Sequence, residues 1–155
     1  MPDQTEATIA RYRDAVLACA VMNFRQMARA VTAHYDAQLR PAGLRATQLN
    51  LLMAIESEAA TTITDLAEIL AMDRTTLTRN LKLLRDRGLV EKKRIALTAR
   101  GRRSAAAALP LWESAQQQFV RSLGRRRWAA LLDELLAARA SLHDDAHRSR
   151  VNLKE

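Results

Sequence analysis

The sequence predicts a mainly α-helical chain, and three observations carry that prediction. Apolar residues recur at spacings of three and four over long stretches. Only 4 Gly and 3 Pro punctuate 155 residues. Aromatic residues supply 4% of a chain that is 48% hydrophobic, so the core must be built from Leu, Ala, Val, Ile and Met, as suits packed helices. At this length one domain with a real core is expected.

The elements follow in order. From about Ala7 to Leu39 the series Ile9, Tyr12, Val16, Ala20, Phe24, Met27, Val31 and Tyr35 predicts one long helix with an apolar stripe. Pro41 and Gly43 end it. ATQLNLLMAIE, Ala46 to Glu56, reads as a short helix with Thr47 as its N-cap. Thr64 or Asp65 caps a third helix in DLAEILA, and a break at Ala71-Met72 leads to Asp73. Asp73 suits the N-cap of a fourth helix, Arg74 to Arg87, which Gly88 closes. Leu89-Val90 and Ile95-Ala96-Leu97 are the only strand material. After Thr98 a helix runs towards Leu123 with a kink expected at Pro110, and Gly124 separates it from a last helix, about Arg125 to Arg148.

Helix, short helix, tight break, helix and a small strand pair make the layout of a winged helix-turn-helix. Residues 45–103 form that lobe within a single domain of residues 1–155. The helices of 1–44 and 104–155 are too apolar for so small a module. They are expected to bury their stripes against each other and against a second copy, the alternative being that they close a monomeric core.

Charge is concentrated in the same lobe. Eleven of the 25 Lys and Arg fall between Asp73 and Arg103, against three of the 17 Asp and Glu. That stretch therefore carries the whole net charge of +8, and the remainder is neutral. A focused basic patch favours a polyanionic partner. On a helical wheel Leu77, Leu81 and Leu84 share one narrow sector, while Thr75, Arg79, Lys82 and Asp86 oppose it. Thr76 and Thr78 flank the outward side, and Arg74 stands in the first turn. Hydroxyls at a helix N-terminus reach phosphates or base edges, arginine can pair bidentately with guanine, and lysine neutralises phosphate. Alone, such a face could be a solvated surface. Following a short helix and a tight break, it reads as a recognition helix for double-stranded DNA.

The strings LRPAGLRATQLNLL, TITDLAEILAMDRTTLTRNLKLLRDRGLV and LTARGRR resemble the MarR family of bacterial transcription regulators. The likeness runs over almost the whole chain. It implies a homodimer joined through its terminal helices on a pseudo-palindromic operator. By position it implies that Thr64 lies near phosphate, and that Arg74, Thr75, Thr76, Thr78, Arg79 and Lys82 belong to the recognition helix. It also implies an effector pocket between the dimer helices and the lobe, for which Met22, Phe24 and Met53 are candidates, core packing being the plainer role for all three. One departure stands out. Family members usually carry a hairpin wing reaching the minor groove, yet VEKKRIAL, Val90 to Leu97, holds no Gly, Asn, Asp or Pro to turn it. Either a charged tip is missing between Lys93 and Arg94, or the wing is truly short and leaves its contacts to Lys92, Lys93 and Arg94.

Other features are weaker. Cys19 is the sole cysteine, so neither an intrachain disulfide nor a four-cysteine zinc site can form. Some similar regulators sense peroxide through a cysteine on this helix, but Asn23 stands where a tyrosine partner is wanted, and a buried structural thiol is the reading preferred. His143 and His147 in HDDAH have i,i+4 metal-ligand spacing but no third ligand, and a solvated helix end is preferred, so no metal and no cofactor are expected. The run Arg125 to Arg127 opposes the dipole of the last helix. The motifs of the common enzyme classes are absent, so catalysis is not expected. No signal peptide and no membrane-length apolar run are present, which makes a cytoplasmic protein the expectation. The leading reading is a sequence-specific homodimeric repressor relieved by a small-molecule effector. The alternatives are a helical dimer acting by protein contacts or non-specific DNA binding with a reduced wing, and a Cys19 thiol-redox regulator.

Overall fold

The computed structural model describes residues 4–57 and 62–152, with side-chain surroundings given for 5–57 and 62–142. Among the described residues the helices are α1 (Gln4–Ala18), α2 (Ala20–Leu39), α3 (Ala46–Glu56), α4 (Ile63–Ile69), α5 (Arg74–Asp86), α6 (Ala99–Leu123) and α7 (Arg125–Asn152), with a 3-10 turn at Arg40–Ala42. Two compact units divide the chain within α6, after Ala115.

The first unit holds the core. Leu39, Leu49, Leu51, Leu52, Leu66, Leu77, Leu81, Leu84, Leu89, Val90 and Leu97 are fully buried and come from α2, α3, α4, α5 and the strand residues. Removing each such side chain from water contributes roughly 1.5–3 kcal/mol, which is the force that folds the lobe around them. α6 joins this core through small residues: Gly101, Ala108 and Ala115 are buried at intervals of seven, two helical turns apart. At Gly101 the approach is backbone to backbone, since a Cβ there would lie 2.0 Å from the Leu89 carbonyl oxygen. α2 is pinned to α6 by a 3.0 Å hydrogen bond between His34 Nε2 and the Ala115 carbonyl. The neighbouring Tyr35 is buried, which raises its phenol pKa above the ordinary value.

Several boundaries differ from the sequence expectation. The first helix is not continuous but breaks at Cys19, whose backbone is extended at φ −66° and ψ 113°. Asn23 supports the break, because its side-chain amide donates to the carbonyls of both Leu17 and Cys19 at 2.9 Å. The apolar period continues across the break, so periodicity alone could not reveal it. Thr47 is not the cap of α3. The first free amides there are taken instead by Asp36 Oδ1, accepting from Ala46 N at 2.7 Å, and by Gln48 Oε1, accepting from Arg45 N at 3.1 Å. Neither Thr64 nor Asp65 is the N-cap of α4. That residue is Thr62, in a reciprocal capping box with Asp65. Gly88 closes α5 as expected, in the left-handed region at φ +69°.

In the second unit the end of α6 and α7 meet at an edge-to-face contact of Phe119 and Trp128, 5.4 Å between centroids. Leu132, Leu136 and Leu142 of α7 are exposed.

Candidate nucleic-acid interface

α4 and α5 are set by two capped ends and one tight turn. Thr62 Oγ1 accepts from Asp65 N at 3.1 Å, and Asp65 Oδ2 accepts from Thr62 N at 2.9 Å. At α5, Asp73 Oδ1 accepts from the Thr76 amide at 2.9 Å and Oδ2 from the Thr76 hydroxyl at 2.6 Å. Those bonds, the hydroxyl's first, hold the Asp73 carboxyl below its ordinary pKa. Between the helices Ala71 sits at φ +49°, the only non-glycine residue with positive φ among those described. Met72 N donates back to the Ala67 carbonyl at 2.9 Å, which closes the end of α4.

The buried side of α5 is Leu77, Leu81 and Leu84. Arg74, Thr75, Thr76, Thr78, Arg79 and Lys82 are all exposed. Their chemical states differ, which a sequence does not reveal. Arg74 donates to Thr64 Oγ1 at 2.7 Å and so ties the first turn of α5 to α4. The Thr76 hydroxyl proton is committed to Asp73. Lys82 is paired with Asp86 at 2.7 Å, an exposed i,i+4 contact worth about 0.3–0.5 kcal/mol that a phosphate could displace. Arg79 has no partner among the described residues and is the unengaged fork on the face.

The eleven cations of this stretch differ in what they bond. Arg85 donates to the Glu91 carbonyl at 3.0 Å, and Arg87 donates to the Gly43 carbonyl at 2.8 Å and to Gln48 Oε1 at 3.2 Å. Arg102 pairs with Glu56 at 2.9 Å. These three brace the lobe. Arg79, Lys92, Lys93, Arg100 and Arg103 are exposed with no partner among the described residues. They carry outward charge together with Arg74, whose bond to the Thr64 hydroxyl leaves its charge in place.

The wing is minimal. Val90 and Leu97 form one isolated antiparallel bridge, and Glu91 N donates to the Ala96 carbonyl at 2.9 Å. Lys92 to Ile95 reverse the chain between those ends. No residue of this turn has positive φ, so a four-residue connection removes the need for Gly or Asn that a two-residue hairpin imposes. Arg94 folds back on Glu91, with Nε to Oε2 at 3.0 Å and Nη2 to Oε1 at 3.1 Å.

The remaining candidates lie elsewhere. Cys19 is half-buried at the α1–α2 break, and its neighbours Val16, Leu17, Val21 and Met22 are exposed, so within one chain it is not a core thiol. Met22 and Phe24 lie on the same exposed stretch of α2, while Met53 packs against the core. Arg125, Arg126 and Arg127 are exposed at the start of α7. The side chains of His143 and His147 lie outside the described residues. Sequence reasoning missed Thr62, although T-x-x-D in TITD is a capping-box signature, and missed the braces Arg85 and Arg87, which only the tertiary structure explains. Among the described residues no helix is long and apolar enough to cross a membrane.

The family model described as MarR family matches residues 42–101, which spans the lobe just described. The crystal structure of the M. tuberculosis transcriptional regulator MosR is 40% identical, with a TM-score of 0.67, over 80% of this chain and 99% of that one. This chain belongs to the MarR family. A second MosR structure, in complex with DNA, matches at 40% identity and TM-score 0.63 over 77% and 98% of the two chains. CouR from Rhodococcus jostii RHA1 bound to p-coumaroyl-CoA shares the fold at 20% identity and TM-score 0.67, over 80% and 94%. No curated protein matches the chain. The chain is thus a winged-helix, DNA-binding transcriptional regulator of the MarR family.

Proposed function

We propose that this MarR-family regulator is a cytoplasmic homodimeric repressor that reads a pseudo-palindromic operator with α5 and releases it on binding a small molecule. The observation that carries the DNA reading is the division of α5: leucines fully buried on one side, and on the other a capped N-terminus followed by Thr75, Thr78 and an unengaged Arg79. In this reading Arg79 meets a guanine edge, Thr75 and Thr78 meet base edges or phosphate, and Lys82 exchanges Asp86 for phosphate. Arg74 and Thr64, already bonded to each other, present one hydrogen-bonding unit to the backbone. Thr76 contributes through its methyl group, its hydroxyl proton being held by Asp73. Lys92, Lys93 and Arg94 belong to the wing side of the same surface.

The homodimer is supported by a row of exposed apolar side chains on α1 and α2, namely Ile9, Tyr12, Val16, Leu17, Val21 and Met27. A row this long in water is unfavourable unless a second surface covers it. The helices of residues 1–44 and 104–155 are the segments proposed to supply that cover. A bound p-coumaroyl-CoA in CouR supports a small-molecule effector for the present chain as well, with Met22, Phe24 and Met53 as candidate lining.

The test compares binding of the full chain to its own upstream DNA and to a scrambled duplex at one salt concentration. Preference for the upstream duplex by about a thousandfold or more is expected. Arg79→Ala is expected to remove about 1–3 kcal/mol from specific binding and to relax one base position, while Lys82→Ala weakens all duplexes evenly and by less. Equal losses on both duplexes for Arg79→Ala would remove its base-reading role.

A further inference from the structure

The wing of this chain is anchored differently from a reaching hairpin, and its length has a consequence for how DNA is read. Val90 and Leu97, the bridged pair, are each 1% exposed, so the ladder begins inside the lobe's core. Only Glu91 to Ala96 lie beyond the bridge, and Ile95 among them packs back against the core. From Val90 to the apex at Lys93 is three residues, about 10 Å at full extension. A helix lying in the major groove is about half a turn, roughly 17 Å, from the centre of the neighbouring minor groove. The floor of that groove lies about 7.5 Å below the phosphate ridges. A stub of this length, rooted in the core, brings its side chains to the phosphate ridge before the groove floor.

The side chains at the tip agree with the geometry. Arg94, whose planar fork could enter a narrow minor groove, is held bidentately by Glu91. It would have to give up two bonds to do so, where Lys82 gives up one. All three cations of the turn are exposed, but only Lys92 and Lys93 lack a partner among the described residues, and an ammonium on a flexible stem neutralises phosphate without reading bases.

We propose that this regulator takes its sequence information from the major groove alone, through α5, and that its wing is a two-lysine phosphate clamp that makes no minor-groove contact. The inference rests on the DNA-binding reading above and adds where on DNA the information is read. Two altered duplexes separate the grooves. Replacing adenine by 2,6-diaminopurine places an amino group in the minor groove and leaves the major-groove edge of adenine in place. Replacing guanine by 7-deazaguanine removes an acceptor from the major groove only.

The experiment uses the full chain and a duplex selected from a random pool. Diaminopurine substitution throughout is expected to change affinity by less than about twofold, and deazaguanine substitution at selected guanines to weaken it by about tenfold or more. Lys92→Ala with Lys93→Ala, which removes four lysines from a dimer, is expected to lower the salt slope by roughly 3.6 on selected and scrambled duplexes alike, with their ratio preserved. Arg94→Ala is expected to leave that ratio unchanged too. A loss beyond about fivefold on diaminopurine DNA, or loss of discrimination in the lysine or Arg94 variants, overturns the inference while leaving the DNA-binding reading standing. A chain for which no duplex wins selection overturns that reading, and this inference with it.

Discussion

α5 and the α1–α2 pair are both amphipathic, yet the chain treats their apolar sides in opposite ways. In α5 the inward leucines Leu77, Leu81 and Leu84 are at most 1% exposed, and the outward side is polar apart from Leu83 at 46%. In α1 and the first half of α2, from Ile9 to Met27, the large apolar side chains face solvent, with Leu17 at 72% and Val21 at 67%. Tyr35 and Leu39 at the end of α2 are buried. One helix is complete within a single chain and offers its polar face outward. The other pair is incomplete within a single chain and offers its apolar face outward. An outward polar face suits a partner that is charged and met reversibly, and an outward apolar face suits one that is permanent.

The comparison breaks most completely if the α1–α2 face is recharged. Leu17→Asp with Val21→Asp is expected to turn a dimer into a monomer in light scattering at micromolar concentration, with helical circular dichroism of the lobe retained. A dimer that survives both charges would show that this face is not the interface. Next in size is the core side of α5. Leu81→Ala leaves a cavity in the buried core of the lobe and is expected to cost about 2–5 kcal/mol in denaturant unfolding. A loss below about 1 kcal/mol would mean that α5 is not held by its leucines.

The polar side of α5 begins at Asp73, and a smaller effect is expected there. Asp73→Ala removes the acceptor for the Thr76 amide and hydroxyl and should lower Tm at neutral pH. The folded carboxyl pKa lies below its unfolded value, so the stabilisation is present in full above the unfolded carboxylate pKa. It is lost as pH falls through the folded pKa. The Tm gap between wild type and variant should therefore close only at acid pH. A gap constant with pH would assign the effect to something other than the carboxylate. Cys19→Ser is expected to do least, leaving operator binding almost normal. Release of the wild type but not the variant by mild peroxide would promote the thiol to a sensor.

Much of this was legible in the sequence, and for identifiable reasons. The leucine spacing of α5 and its Asp73 cap are local signals, and both elements stand where they were expected. The lobe with its short helix and turn follows from the same local rules. The break at Cys19 was not legible, because it depends on Asn23 reaching two carbonyls while the apolar period runs on unbroken. The state of each cation was not legible either. Arg87 and Arg79 have the same composition value, but one bonds Gly43, 44 residues away in the chain, and the other bonds nothing described. The wing was misjudged in one respect: lack of Gly and Asn excludes a two-residue turn, not the four-residue one that forms.

Ala71 carries a last consequence. The turn that sets the angle between α4 and α5 places an alanine in the left-handed region, at roughly 1–2 kcal/mol above a right-handed residue. Local chemistry therefore opposes this bend, and the packing of Leu66 and Leu77 at 0% exposure imposes it. The helix-turn-helix is consequently not a portable cassette. Grafted or excised without α3, α6 and the wing root, the same residues would keep their sequence and lose their angle, because the hinge borrows its shape from the scaffold that surrounds it.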